Sequence, residues 1–449
     1  MTRQEFQTIT DILLRGAMPC DKVGYIADRS EFSKYRLVVV PCGAPWMDKD
    51  CRIGKGHGDA DVRYDLGEVK ITEWIKTGKY DGQGMPCSLP VMFGTSEVER
   101  IGDTIVLHND IIATAYFFLF RIEELFNLNR DEHGRFTARE SLAFRHGFIH
   151  RPIVDEYGEW LRGLLGLPHP AEGISKTYLT HDVDNITLYR SVRGVLGAIK
   201  RSLNSFLTPL NHTELAAAWR AHTNSADSDP LFTFPDMMKW DKAVKGAQVI
   251  YFLKSDIRSA SKFDRPAYGF NDIDVKFLRQ LISDNGCQTG WHSSYASADS
   301  EALTARDLSA FKSECSAHGL DNLHPWQRHR GHYLRNTNYD VLAALGVTDD
   351  FTLAYADMAG FRAGTCLPYH WRDTNLTVHP LTLMDVTLSE RKYMNLDHDE
   401  AYSYAKSMIE HTRHFGGELT LLWHNNSFRT DDTNGYHRLL YPRLLELIN

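Results

Sequence analysis

The chain has 449 residues, 43% hydrophobic and 24% charged, ordinary proportions for a globular protein long enough to build two cores of different size. Its formal net charge of -8 leaves no basic footprint for nucleic acid. The seven cysteines (Cys20, Cys42, Cys51, Cys87, Cys287, Cys315 and Cys366) include no C-x-x-C pair, which excludes a zinc ribbon or dithiol motif and reads as reduced thiols in a cytoplasmic protein.

Residues 1–14 are polar and amphipathic, without the apolar core of a secretory signal. Residues 2–15 set Phe6, Ile9 and Leu13 on one helical face. Short apolar runs at 36–40 and 89–93, bounded by Gly and Pro, predict strands. Residues 110–126 predict a strongly apolar helix, whose run 111–120 is far below the roughly 20 residues of a membrane span and belongs in a core. Residues 129–135 predict a polar turn. No catalytic cluster is visible up to this point, and residues 1–170 are expected to form a mixed α/β accessory domain.

From Lys176 onward the texture changes. Strand-like runs at 177–180, 249–253, 289–291 and 419–423 end in His181-Asp182, Lys254-Ser255, His292 and His424. Helices are predicted at 274–283 (cap Asp272, stop Gly286), 301–318 (stop Gly319) and 397–414 (stop Gly416). Strands alternating with helices imply a parallel sheet over 171–449, closed as a barrel or open and doubly wound. A polar residue just past a strand is where barrel enzymes keep their chemistry. Residues 188–210 interrupt the alternation, joining Val192, Val195, Leu196, Ile199, Leu203 and Phe206 to Arg190, Arg193, Lys200 and Arg201. They read as a lid or surface helix at the barrel mouth, or as a peripheral membrane contact.

Asp182 and Asp184 emerge on one face of a strand, because strand side chains alternate with period two. They suit one metal ligand and one general base, or a helix cap. His292 begins His292-Ser293-Ser294-Tyr295. Residues 328–335 pack three arginines and two histidines into eight positions, a solvated basic loop or part of a site. His424 follows the apolar run Leu421-Leu422-Trp423. The order Asp-x-Asp, His, Arg-x-His, His at strand ends points to one divalent ion, and carboxylate with imidazole suits Zn²⁺.

These motifs resemble the polysaccharide deacetylase family, carbohydrate esterase family 4. Thr180-His181-Asp182-Val183-Asp184 is similar to its T-F-D-D motif with the acids spaced D-x-D, and His292-Ser293 matches the first half of H-[ST]-x-x-H. Arg330-Gly331-His332-Tyr333 is similar to R-x-P-Y, and Leu422-Trp423-His424 matches L-x-H. The resemblance covers roughly residues 176–430. Asp350-Phe351-Thr352 and Gly360-Phe361-Arg362-Ala363-Gly364 fit a bacterial branch that carries an extra N-terminal domain. It implies a distorted (β/α)7 barrel, a divalent metal, and removal of N- or O-linked acetyl groups from a carbohydrate. Within it, Asp182 is the base, Arg330 orients it, Asp184 and His292 bind metal and His424 is the acid. The second histidine of H-[ST]-x-x-H is replaced by Ala296; His332, where the family usually has proline, is our own choice for the missing ligand.

A backbone N–H within 293–295 is expected to stabilise the oxyanion. Trp291, Tyr333 and Trp371 either line sugar subsites or pack in the core. Two other readings remain open on the sequence: a hydrolase of a non-sugar amide with the same metal site, and a glycan-binding protein that has lost catalysis. Oligomeric state is not encoded in any of these motifs.

Overall fold

The computed structural model describes residues 1–44, 69–71, 73–80, 86–190, 192–204, 211–255, 261–264, 268–432 and 434–448. Cys51 and residues 205–210, with Phe206, lie outside them. Six strands precede residue 110: β1 (Val23–Tyr25), β2 (Leu37–Val39), β3 (Glu73–Tyr80), β4 (Pro86–Val91), β5 (Gly94–Ile101) and β6 (Thr104–Asn109). They form a four-stranded sheet, β1-β2-β6-β5, and the separate hairpin β3-β4.

Nine more build the principal sheet. They are β7 (Lys176–Val183), β8 (Gln248–Leu253), β9 (Gln288–Ser293), β10 (Arg328–Gly331), β11 (Asp349–Asp350), β12 (Tyr369–His370), β13 (Thr377–Val378), β14 (Leu383–Met384) and β15 (Glu418–Leu422). Their order is β12-β13-β11-β10-β9-β8-β7-β15-β14, with every pair parallel except β12-β13. Helices at Ile273–Asp284, Glu301–Ala317 and His398–His414 fall on the predicted segments, the last closed by a capping box between Asp397 and Glu400.

Chain connectivity forces the sheet to curl. Seven inter-strand steps separate β13 from β14, about 34 Å if the sheet were flat. Val378 and Leu383 are nevertheless joined by four residues, a link of roughly 18 Å at full extension. The sheet therefore bends until its edges approach, giving a mixed α/β fold around a curled nine-stranded half-barrel. Along β7 the alternation is plain. Leu179 and Val183 face the main core, whereas Tyr178, Thr180 and Asp182 face inward. Tyr178, Ile250, Phe252 and Phe351 form an apolar floor. Above it the fully buried Arg330 donates to Thr180 Oγ1 at 2.8 Å, across three strands, with its guanidinium 5.3 Å from the Phe252 ring centre. Asp182 forms the next layer.

Residues before 170 pack directly on this sheet, and one apolar core runs from Ile9 to Leu445. Asp155 accepts from Thr365 Oγ1 (2.6 Å) and the Cys366 amide (2.9 Å), and Glu124 pairs with Arg362 at 2.6 Å. A Cβ on Gly360 would lie 2.7 Å from the Ile149 carbonyl oxygen, and one on Gly364 2.9 Å from Val154 Cγ2. The Gly-x-x-x-Gly phrase thus lets two backbones meet.

One expectation changes. The helix predicted over 110–126 stops at Leu119, whose carbonyl accepts from Tyr369 Oη at 2.8 Å; Arg121 turns left-handed (φ 58°) and a short helix follows at Glu123–Phe126. Within the segment 188–210, the helix Val192–Asn204 packs Ala198 against Ala218 and Ala221 of the helix Asn211–Thr223.

Candidate metal centre

Four strand ends deliver the site. Asp182 is the penultimate residue of β7 and Asp184 lies one residue beyond the strand; His292 sits in β9, Arg330 in β10, His332 just after β10, and His424 after β15. Asp184, His292 and His332 place one ligand atom each within 4.8 Å of one another, and no other such group occurs among the described residues. Asp184 Oδ1 is 3.4 Å from His292 Nε2 and 3.2 Å from His332 Nε2. Both imidazoles are aimed by their far nitrogens. His292 Nδ1 donates to the Arg330 carbonyl (3.1 Å), and His332 Nδ1 donates to Asp264 Oδ1 (3.2 Å), which leaves both Nε2 lone pairs toward Asp184.

The donor set fits a divalent cation. His292 Nε2 and Asp182 Oδ1 are buried and make no hydrogen bond, as are Arg330 Nε and Nη1. Leaving such groups unsatisfied is costly, so converging orphans mark a place built for something else. Burial disfavours charge on Asp184, yet Lys254 Nζ at 2.8 Å and His332 hold its carboxyl well below the usual range. Burial likewise depresses His292, against the pull of Asp182, and so keeps the neutral ring that metals need.

Asp182 stands between two cations. Arg330 Nε lies 3.7 Å from Oδ1 and His424 Nε2 3.9 Å from Oδ2. His424 is itself held by Asp385, which follows β14: Nδ1 to Oδ1 is 2.8 Å, and the His424 amide donates to Oδ2 at 2.7 Å. Burial opposes charge on both, but their contact raises His424 to about 9 and holds Asp385 at about 2. At neutral pH the pair is imidazolium and carboxylate, with the second imidazole N–H turned toward Asp182. Asp385 and Asp264 escape motif reading, because each acts through a histidine far away in sequence.

The turn bearing His332 is strained. Tyr333 and Leu334 are both left-handed (φ 57° and 54°), roughly 1–3 kcal/mol each for non-glycine residues. A Cβ on Gly331 would lie 2.2 Å from the Arg335 carbonyl oxygen, so only glycine permits so tight a bend. The cavity over the site has a volume of about 230 Å³ and is rimmed by Arg135, Tyr333, Lys392 and Tyr393. That is below the roughly 300–1,000 Å³ of drug-sized pockets.

Arg135 was hidden in the sequence as part of a polar turn. Its guanidinium is buried, donating to Asp131 Oδ2 (2.7 Å), the Tyr333 carbonyl (2.9 Å) and Tyr393 Oη (3.2 Å). One expectation narrows here and one open choice is settled. The amides of Ser294 and Tyr295 are taken by Asp307 and Asp264, so they are no oxyanion donors. Trp291 and Trp371 are sealed in the core, leaving Tyr333 alone of the three aromatics at the cavity.

Residues 64–169 match a family of unknown function, DUF7033. No curated protein matches. Among solved structures the chain is similar to one assigned as a polysaccharide deacetylase from Mycobacterium smegmatis, at 14% identity and TM-score 0.37, over 62% of this chain and 88% of that one. A second, assigned likewise from Pseudomonas aeruginosa PAO1, gives 11% and 0.34 over 60% and 83%. A 4-alpha-glucanotransferase from Thermococcus litoralis gives 11% and 0.31 over 63% and 37%.

Proposed function

We propose that the chain is a metal-dependent hydrolase that removes N- or O-linked acetyl groups from a carbohydrate, with zinc as the metal, acting in the cytoplasm. The observation that carries this reading is the convergence of Asp184, His292 and His332 beside an Asp182 flanked by Arg330 and the His424–Asp385 pair. A divalent ion held by Asp184, His292 and His332 supplies Lewis acidity toward water and an acyl carbonyl. The remaining chemistry belongs to the chain. Asp182 accepts the proton of the attacking water, and Arg330, with Nε 3.7 Å from Oδ1, orients it. His424, charged at neutral pH, stabilises the developing oxyanion and then donates its proton to the leaving nitrogen or oxygen. Asp385 fixes the tautomer and the charge.

The fold that accompanies this reading is a distorted (β/α)7 barrel, seven parallel strands from β11 round to β14, with β12 and β13 appended. Residues 1–170 act as its accessory domain. Zinc analysis of protein purified without added metal, with acetate release from a chromogenic acetyl ester and from acetylated sugars, tests the proposal. Metal-free protein that releases no acetate overturns it in favour of non-catalytic glycan binding.

A further inference from the structure

We infer that the turn 131–135 is the clamp that keeps the third metal ligand in place. The inference rests on the metal reading above, and Arg135 serves in it as a positioning residue. His332 begins a turn whose next two residues are held left-handed without being glycine. Within this turn the only backbone bond back to His332 is the Arg335 amide on its carbonyl, at 3.0 Å. Such a turn persists only where surrounding structure over-determines it.

The surroundings come from the other end of the chain. Arg135 donates Nη1 to the Tyr333 carbonyl at 2.9 Å while Nε grips Asp131 at 2.7 Å, so the guanidinium fork ties the strained peptide to the 131–135 turn. His133 of the same turn packs on the Tyr333 ring, centroids 4.8 Å apart, and touches Tyr295 Oη through Nδ1 at 3.3 Å. That turn is itself closed by Asp131, whose Oδ1 accepts from the amides of His133 and Arg135 at 2.9 Å each. Backbone and ring of Tyr333 are thus gripped from one rigid loop, and Tyr333 is bonded covalently to the ligand His332.

The test is zinc ion titrated calorimetrically into the chelator-stripped full chain, with circular dichroism confirming the fold of every variant. Arg135→Gln is expected to weaken zinc binding about tenfold, as loss of a group supporting a ligand does. Arg135→Lys keeps the charge without the fork and should lose as much. The decisive arm uses two backgrounds. Tyr333→Ala removes the ring and keeps the strain at 333; Tyr333→Gly removes the ring and the strain at 333, leaving only that at Leu334. Arg135→Gln should cost about tenfold in the alanine background and less than about threefold in the glycine background, where the turn holds itself. Equal losses in the two backgrounds, or no loss in the wild-type background, overturn the clamp while leaving the metal site standing. Wild-type protein that takes up no zinc instead overturns the metal reading and the clamp with it.

Discussion

The two faces of β9 and β10 carry histidine–carboxylate constellations of similar composition and opposite character. On the inner face, His292 and His332 converge on Asp184 beside a cavity, with buried atoms left unpaired. On the outer face, Ser293 Oγ lies 3.0 Å from His329 Nε2, and His329 Nδ1 lies 2.6 Å from Asp350 Oδ2. In outline this is a hydrolase triad. Every member is sealed, however, none of them lines the cavity over the inner cluster, and Asp350 is fully engaged by His329 and Thr352. Thr352 in turn accepts from the Gly331 amide at 2.8 Å, so the chain of bonds pins the outer strands under the bend that carries His332. The inner cluster keeps its valences open and the outer one spends them on register. Residue identity alone does not separate a site from a strut; unsatisfied donors and acceptors facing an opening do.

Four substitutions would break or sharpen that contrast. Asp184→Asn should abolish zinc uptake and activity together, a fall of at least about 10⁴-fold; full zinc content in this variant would show that the inner cluster is not the metal centre. Asp182→Asn should retain zinc and lower turnover by about 10²–10⁴-fold, since it removes only the proton acceptor. Unchanged turnover in single-turnover assays would remove Asp182 from the mechanism.

His424 predicts an alkaline limb. Its raised value means that the proton is present at neutral pH and leaves as pH climbs through about 9, so turnover should decline there. Asp385→Asn withdraws the partner that raises it, and the limb should move toward the ordinary imidazole value, about 6.5, with zinc retained. A limb that stays near 9 assigns it to another group. The smallest effect is expected on the outer face. Ser293→Ala should cost about 1 kcal/mol of stability in thermal melts and change turnover less than about twofold. Loss of activity comparable to Asp182→Asn would mean that the sealed triad reacts after all.

Much of this was legible in the sequence, for a physical reason. Period-two alternation points Asp182 and Asp184 to one face at the end of β7, and strands ending in polar residues mark the end of the parallel sheet where Asp184, His292 and His332 converge. What escaped notice acts across the chain. Asp385 follows a two-residue strand too short for any periodicity, and it reaches His424 only because the sheet curls. Arg135 sits among charged residues that look solvated until tertiary packing buries it. The kink at Arg121 was hidden because an apolar run looks equally helical whether or not a tyrosine from Tyr369–His370 caps it midway.

The pairing of β15 between β7 and β14 has a consequence for biosynthesis. Thr180 Oγ1 donates to the Leu421 carbonyl, a bond between residues 241 apart in sequence. During translation β7 must wait with one edge bare until β15, 241 residues on from Thr180 at Leu421, has left the ribosome, and His424 arrives last of the candidate site residues. Such long waits expose unpaired strand edges to aggregation, and non-local pairing slows closure. A nascent chain stalled before residue 418 would hold Asp182, His292 and His332 without the strand that completes their enclosure.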